Sequence, residues 1–239
     1  MASIEKLKEN VAKSCQILAM EGQFDGILGH VSVKIDEKRM LIRCRGPKEK
    51  GLLYTTADDI KEVDFDGNGE FLEGHKPPNE LPVHGEIYKM RQDINCVVHS
   101  HPPEAVICSI SNIPLKPIFG AFNIPAARMA REGIPFFEHS YLITKPEQAH
   151  KMIEAMGDRD IVLLRGHGIT VTGASVEEAT VQALILNQLA KTTLEAMKSG
   201  YEPVEIAPED FENLPDLGEQ FNAQLNWNYL EHKLAKFLS

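Results

Sequence analysis

Two short apolar runs, each ending in histidine, constrain this chain more than any other feature. Val97, Val98, His99, Ser100 and His101 read as a buried strand whose imidazoles, at i and i+2, project from one face of extended backbone. Ile161 to Leu164 is a second apolar run, and Arg165, Gly166, His167 and Gly168 follow it. A third histidine therefore stands at a strand end between two glycines, whose missing side chains permit close approach. Ahead of the first run, Glu80 lies in the turn that opens a helix over Pro82 to Met90. A lone histidine is more often a surface or hydrogen-bonded core residue than a ligand. Three at the ends of two strands, with a carboxylate in the turn before the intervening helix, point to one metal site. His84, one turn after Glu80, is either a support for that site or a buried hydrogen-bonded histidine.

The rest of the chain narrows the function classes. Its 239 residues, 43% of them apolar, suffice for one sizeable domain, and no composition shift argues for two. A net charge of −10 without a basic patch argues against a nucleic-acid partner or an anionic membrane surface, leaving a small-molecule substrate. The opening MASIEKLKENVAKS has no apolar core, and no run of apolar residues is long enough to span a membrane, so a cytoplasmic protein is expected. Cys15, Cys44, Cys96 and Cys108 are scattered, without a CxxC pair, and read as thiols in apolar surroundings.

Local patterns supply the elements. Ile4, Leu7, Val11, Cys15, Leu18 and Ala19 have helical spacing, and the helix stops near Gly22. HVSVKI and MLIRCRG read as a hairpin, with Leu41, Arg43 and Arg45 on one face if the second strand is regular. Thr56 caps a short helix with an acidic start, and a strand and a DGNG turn, read as a hairpin, follow. That turn resembles the start of a calcium loop, but the twelfth position from Asp64 is His75 where glutamate is required. GIPFFEHSYLIT reads as a strand, and PEQAHKMIEAM as a helix ended by Gly157. Ser175 caps a long amphipathic helix, with Glu178 in the capping-box position. The last segment, which holds the single tryptophan, reads as a helix that either covers the site or crosses to a neighbour.

The order Glu80, HGEIYKMRQDINCVVHSHP, LLRGHGITVTGASVEEA resembles the class II aldolase/adducin family, from about residue 5 to about residue 200. The resemblance implies a single-domain α/β fold over 1–239, a three-layer α/β/α sandwich with a central, mainly antiparallel sheet and a C-terminal helical tail from about 205. It also implies that His99, His101 and His167 bind a divalent metal, that Glu80 is the acid/base residue, and that the protein is a homotetramer with sites near subunit interfaces. Three imidazoles suit Zn, Mn, Fe or Co and leave coordination positions open, and Glu80 as a fourth ligand is compatible with the same residues.

Departures from the sugar-phosphate members bear on substrate. Where those members carry a Ser-Gly-Asn turn, a Thr-Gly strand end and a serine pair, this chain has Gly29-His30-Val31, Arg45-Gly46 and Pro78-Asn79. Small phosphate-wrapping donors have given way to an imidazole, a guanidinium and a proline. Arg45, with His30, is therefore expected to hold a substrate carboxylate. Phe119 stands where the aldolases carry a proton-transferring tyrosine; a phenyl ring cannot donate a proton but can pack against a flat ring. Together with IRCRGPKEKGLLYTTADDI and LPDLGEQFNAQLNWNYL, these features are similar to the branch that decarboxylates hydroxylated aromatic acids. The expected activity is metal-dependent carbon–carbon cleavage, decarboxylating an ortho-hydroxy aromatic or heteroaromatic acid. A retro-aldolase acting on a hydroxy carbonyl compound would keep the same four site residues. A non-catalytic adducin-like module would be expected to have lost ligands that this chain retains.

Overall fold

A computed structural model describes residues 3–24, 26–70 and 72–239. Helix α1 (Ile4–Met20) opens with Ser3 accepting the Lys6 N–H, and Gly22, in the left-handed region, lies just beyond its end. Strands β1 (His30–Lys34) and β2 (Arg39–Arg43) form the expected hairpin, and β3 (Ile60–Asp64) pairs with β2. Between them, Thr56 and Asp59 cap each other around a single helical turn, as the acidic pattern predicts. The DGNG turn forms, with Asp64 Oδ1 accepting the Asp66 and Asn68 N–H groups. The hairpin reading is corrected: among the described residues no strand pairs back on β3, and the chain makes only a single bridge from Lys76 to Arg45.

Helix α2 (Leu81–Met90) leads into β4 (Cys96–Ser100) and α3 (Pro103–Ile110). After α4 (Ile124–Ala130), the segment expected to be a long strand contributes only the two residues of β5 (Phe136–Phe137). Then follow α5 (Pro146–Met156), β6 (Ile161–Leu164), β7 (Gly168–Gly173) and α6 (Val176–Met197). Strand β7 was not among the sequence expectations, and its pairing with β4 and β6 reveals it. Ser175 caps α6 by accepting the Glu178 N–H, whereas the Glu178 carboxylate takes the N–H of Ala174, one residue before the cap.

The seven strands run in the order β3-β2-β1-β4-β7-β6-β5, antiparallel except for the β5–β6 pair. Helices cover both faces, giving the α/β/α sandwich. Alternation assigns the side chains: Val31, Val33, Leu41 and Val98 pack with α1 and α6, while Met40, Ile42, Val97 and Val162 pack with α2 and α5. Val97 and Val98 are fully buried on opposite faces, each worth roughly 1.5–3 kcal/mol relative to exposure. This double burial holds the end of β4, and with it the histidines, in the middle of the sheet.

The tail forms α7 (Pro208–Glu212) and α8 (Asn226–Phe237). The expected helix forms, and within the chain it does not cover the four predicted ligands. Helix α8 buries Trp227, Leu230 and Leu234 in the α1/α6 layer and ties to α1 and the turn after it through Lys13–Glu231 and Lys233–Glu21. No helix among the described residues is long and apolar enough to cross a membrane.

Candidate active site

Pairing brings the predicted ligands together. His99 and His101 leave β4 on its α2 side, and His167 arrives from the turn between β6 and β7, the strand paired with β4. Glu80 enters from the residue that opens α2. One donor atom from each of Glu80, His99, His101 and His167 lies within 4.8 Å of all the others. His99 Nε2 is 3.0 Å from His101 Nε2 and 3.4 Å from Glu80 Oε2, and His167 Nε2 is also 3.4 Å from Glu80 Oε2. Four lone-pair atoms converging from three segments are a donor set that fits a divalent cation, with the second nitrogens turned outward. Thr170, directly opposite His99 in the sheet, places its hydroxyl 3.1 Å from His99 Nδ1. If that hydroxyl accepts the Nδ1 hydrogen, Nε2 is left bare for the metal. Phe24 sets its ring edge-on to His101, with centroids 5.3 Å apart.

Gly168 lets the two strand ends meet. A Cβ there would overlap the Ser100 carbonyl oxygen and stand 2.8 Å from His101 Cδ2. Gly166, with φ of 59°, supplies the left-handed step of the turn. Gly168→Ala is expected to push β7 from the His101 end of β4, lowering stability by about 1–3 kcal/mol, the usual range for overpacking, and weakening metal retention. Thermal unfolding and metal content of the purified variant test this; wild-type values in both would contradict the close-approach assignment.

The carboxylate of Glu80 is 5% exposed and has divided duties. Oε1 accepts the Ile143 N–H at 3.3 Å, and Oε2 faces the histidines. Burial alone would raise its pKa, but His99 and His167 override that and hold it well below the usual carboxylate range. Burial, followed by the neighbouring histidines, pushes His101 down to about 3, so it is neutral and able to ligate at neutral pH.

The other expected residues are placed differently. His30 pairs with His99 across the sheet, stacks on it with centroids 5.0 Å apart, and turns Nε2 to 4.0 Å from Glu80 Oε2. Arg43 is ruled out as a site residue. Its guanidinium is 3% exposed and bound to Glu49 and Thr55. Regular β2 ends at Arg43, so Arg45 lies beyond the strand, bridged to Lys76, with a buried Nε that has no partner. Phe119, 6% exposed, belongs to the apolar cluster of the α1/α6 layer and sits beside exposed Phe122. Among the described contacts, nothing joins Arg45 or Phe119 to the four converging ligands.

Sequence reasoning missed Tyr88 and left the part played by His84 open; both back the site. His84 is fully buried between Ser32 and His30, and Tyr88, one turn further on, bonds Ser32. The signal was present as a spacing: Glu80, His84 and Tyr88 at i, i+4 and i+8 on one helix face, opposite His30 and Ser32 at i and i+2 on a strand.

Burial, then His99, pushes His84 down to about 3, below its ordinary 6.5. Its unfolded form therefore binds a proton that the folded form refuses, and stability must fall as pH drops from about 6.5 toward 3. The slope from this residue is at most about 1.4 kcal/mol per pH unit. Urea unfolding between pH 7 and 4 should show a shallower acid slope in His84→Gln than in wild type; identical slopes would refute the assignment.

A family model, the class II aldolase and adducin N-terminal domain, matches residues 9–194. The chain belongs to the class II aldolase and adducin family. It is 45% identical, over 96% of its length and 93% of the relative's, to a 3,4-dihydroxyphthalate decarboxylase of Arthrobacter keyseri. It is 43% identical, over 96% of both chains, to a protein of that name from Terrabacter sp. (strain DBF63). An aldolase II superfamily protein from Pseudomonas syringae has the same fold, with a TM-score of 0.83 at 21% identity over 99% of this chain and 94% of that one. Membership and decarboxylase relatives along nearly the whole length make this chain an enzyme, a carbon–carbon lyase. The Glu80 and three-histidine cluster fits a metal site.

Proposed function

We propose that this enzyme decarboxylates an ortho-hydroxy aromatic acid carrying a further carboxylate, with a dihydroxyphthalate as the leading candidate. The observation that carries the reading is the convergence of Glu80, His99, His101 and His167 beside His30, in a chain whose relatives are named for that chemistry. His99, His101 and His167, with Glu80 in the resting enzyme, would hold Zn, Mn, Fe or Co. When bound, that cation supplies positive charge against the negative charge that develops on substrate oxygen as the carbon–carbon bond breaks.

The protein side chains supply orientation and a proton path. Arg45 has an unmet buried donor at Nε, which a substrate carboxylate would satisfy together with a terminal guanidinium nitrogen. Glu80, anchored through Oε1, takes the substrate hydroxyl proton on Oε2. Glu80 delivers that proton to the ring carbon bearing the departing carboxylate, giving a ring ketone; the carbon–carboxylate bond then breaks, carbon dioxide leaves, and the released electron pair restores the aromatic ring and leaves the charge on the phenolate oxygen. Water then reprotonates the phenolate.

Carbon dioxide release from a panel of ortho-hydroxy aromatic acids, using metal-stripped enzyme reconstituted separately with each cation, is the test. Metal-dependent release is expected. Release of aldehyde from a hydroxy carbonyl compound, with no decarboxylation, would overturn the reading in favour of retro-aldol cleavage. Arg45→Leu should cost about 1.5–3 kcal/mol, roughly ten- to hundredfold in kcat/KM, for an acid with two carboxylates. Unchanged kinetics would remove Arg45 from the site.

We further propose a homotetramer working in the cytoplasm. Exposed Ile107, Ile110 and Phe122 support the first, and four free buried thiols, as a reducing compartment would keep them, support the second. Light scattering on the purified protein tests the assembly.

A further inference from the structure

An unbroken line of polar groups leads away from the site between β1 and α2. Tyr88 OH lies 2.7 Å from Ser32 Oγ, Ser32 Oγ 2.6 Å from His84 Nδ1, and His84 Nε2 2.7 Å from His30 Nδ1. At the open end His30 Nε2 faces Glu80 Oε2 at 4.0 Å. All four members are buried, with His30 the most exposed at 4%. Buried from bulk solvent, each member must find its partners among its neighbours.

Each short contact holds one hydrogen, so the direction of one link sets that of every other. In the first polarity Tyr88 donates to the Asn95 carbonyl, 3.5 Å away, and Ser32, His84 and His30 each donate outward in turn. That polarity spends the tyrosine hydrogen on a long bond and leaves His30 with a bare Nε2 lone pair facing a carboxylate. In the second, Tyr88 donates to Ser32 at 2.7 Å, Ser32 to His84 Nδ1, and His84 Nε2–H to His30 Nδ1. His30 then turns an Nε2–H toward Glu80 and the substrate. Distance at one end and charge at the other both favour the second polarity.

We propose that Tyr88, Ser32 and His84 are positioning residues that lock His30 in its Nε2–H tautomer, making it a fixed, uncharged hydrogen-bond donor to a carboxylate oxygen of the substrate beside Glu80. The identity of that oxygen rests on the decarboxylase reading above; the tautomer does not. A fixed donor of this kind also sets specificity, since a substrate without an acceptor at that point leaves a buried N–H unpaired.

The tautomer can be read directly by nitrogen NMR on zinc-loaded protein labelled in histidine, with His30 assigned by its loss in His30→Asn. Hydrogen on Nε2 and a bare Nδ1 are expected; the reverse pattern would overturn the proposal. Tyr88→Phe removes the donor that sets the direction and should yield a mixture of the two forms, whereas a spectrum identical to wild type would refute a directing role. In kinetics, Ser32→Ala should raise KM for the acid about tenfold with a smaller change in kcat and no change in metal content, the size of one lost hydrogen bond. His84→Gln, whose amide still presents an N–H to His30, should retain most of the activity that His84→Leu loses. Wild-type KM in Ser32→Ala would exclude the positioning role. If wild-type enzyme decarboxylates no acid, the decarboxylase reading fails while the NMR result still decides the tautomer.

Discussion

His99→Ala is expected to strip the enzyme of metal and abolish turnover. His99 Nε2 is central to the cluster, 3.0 Å from His101 Nε2 and 3.4 Å from Glu80 Oε2, and its ring is stacked on His30 and backed by Thr170. Its removal therefore takes away a ligand, the wall behind His30 and the neighbour that helps hold Glu80 ionised. The loss should exceed the roughly 10- to 100-fold cost of deleting a residue that merely orients a ligand. Thr170→Val provides that smaller comparison, since it removes the hydroxyl at Nδ1 and leaves the ligand. Metal content by elemental analysis and turnover on the same preparation check both variants. A metal-loaded, active His99→Ala protein would refute the site.

Glu80→Gln should separate proton transfer from the rest of the site. The amide oxygen can still accept the Ile143 N–H, so the start of α2 and the loop before α5 should stay joined. Oε2 loses its charge and its ability to take and return a proton. With the cation restored at high concentration, kcat is expected to fall by about 10²- to 10⁴-fold, the usual weight of a positioned acid/base group. If metal is the sole deficiency, saturation will restore kcat, and Glu80 will be a ligand and nothing more. A persistent deficit at full metal occupancy identifies it as the proton carrier.

The two predictions depend on parts of the molecule that were unequally visible in the primary structure. The pairing of His99 with His101 was legible because a strand's period of two needs no partner to express itself, and the double burial of Val97 and Val98 follows from the same local run. Ser175 as a cap and Gly157 as a stop were legible for the same reason, being local signals. Strand spacing did not separate Arg43 from Arg45, which sit at alternate positions of one run, and only the family resemblance picked out Arg45; the end of β2 decides that Arg43 is consumed by Glu49 while Arg45 keeps an unmet donor.

Residue types and their spacing thus determined the chemistry available to this chain: three imidazoles and a carboxylate on elements of the right period, in a family-like order. Tertiary structure alone decided which groups meet. The sheet register sets His30 against His99 and Thr170 behind it, the unforeseen β7 carries His167's turn against β4, and Ile143 reaches Glu80 from a distant loop. Strand partners are chosen by the packing of whole faces against helices, a sum over contacts far apart in the chain, and no local pattern encodes that sum.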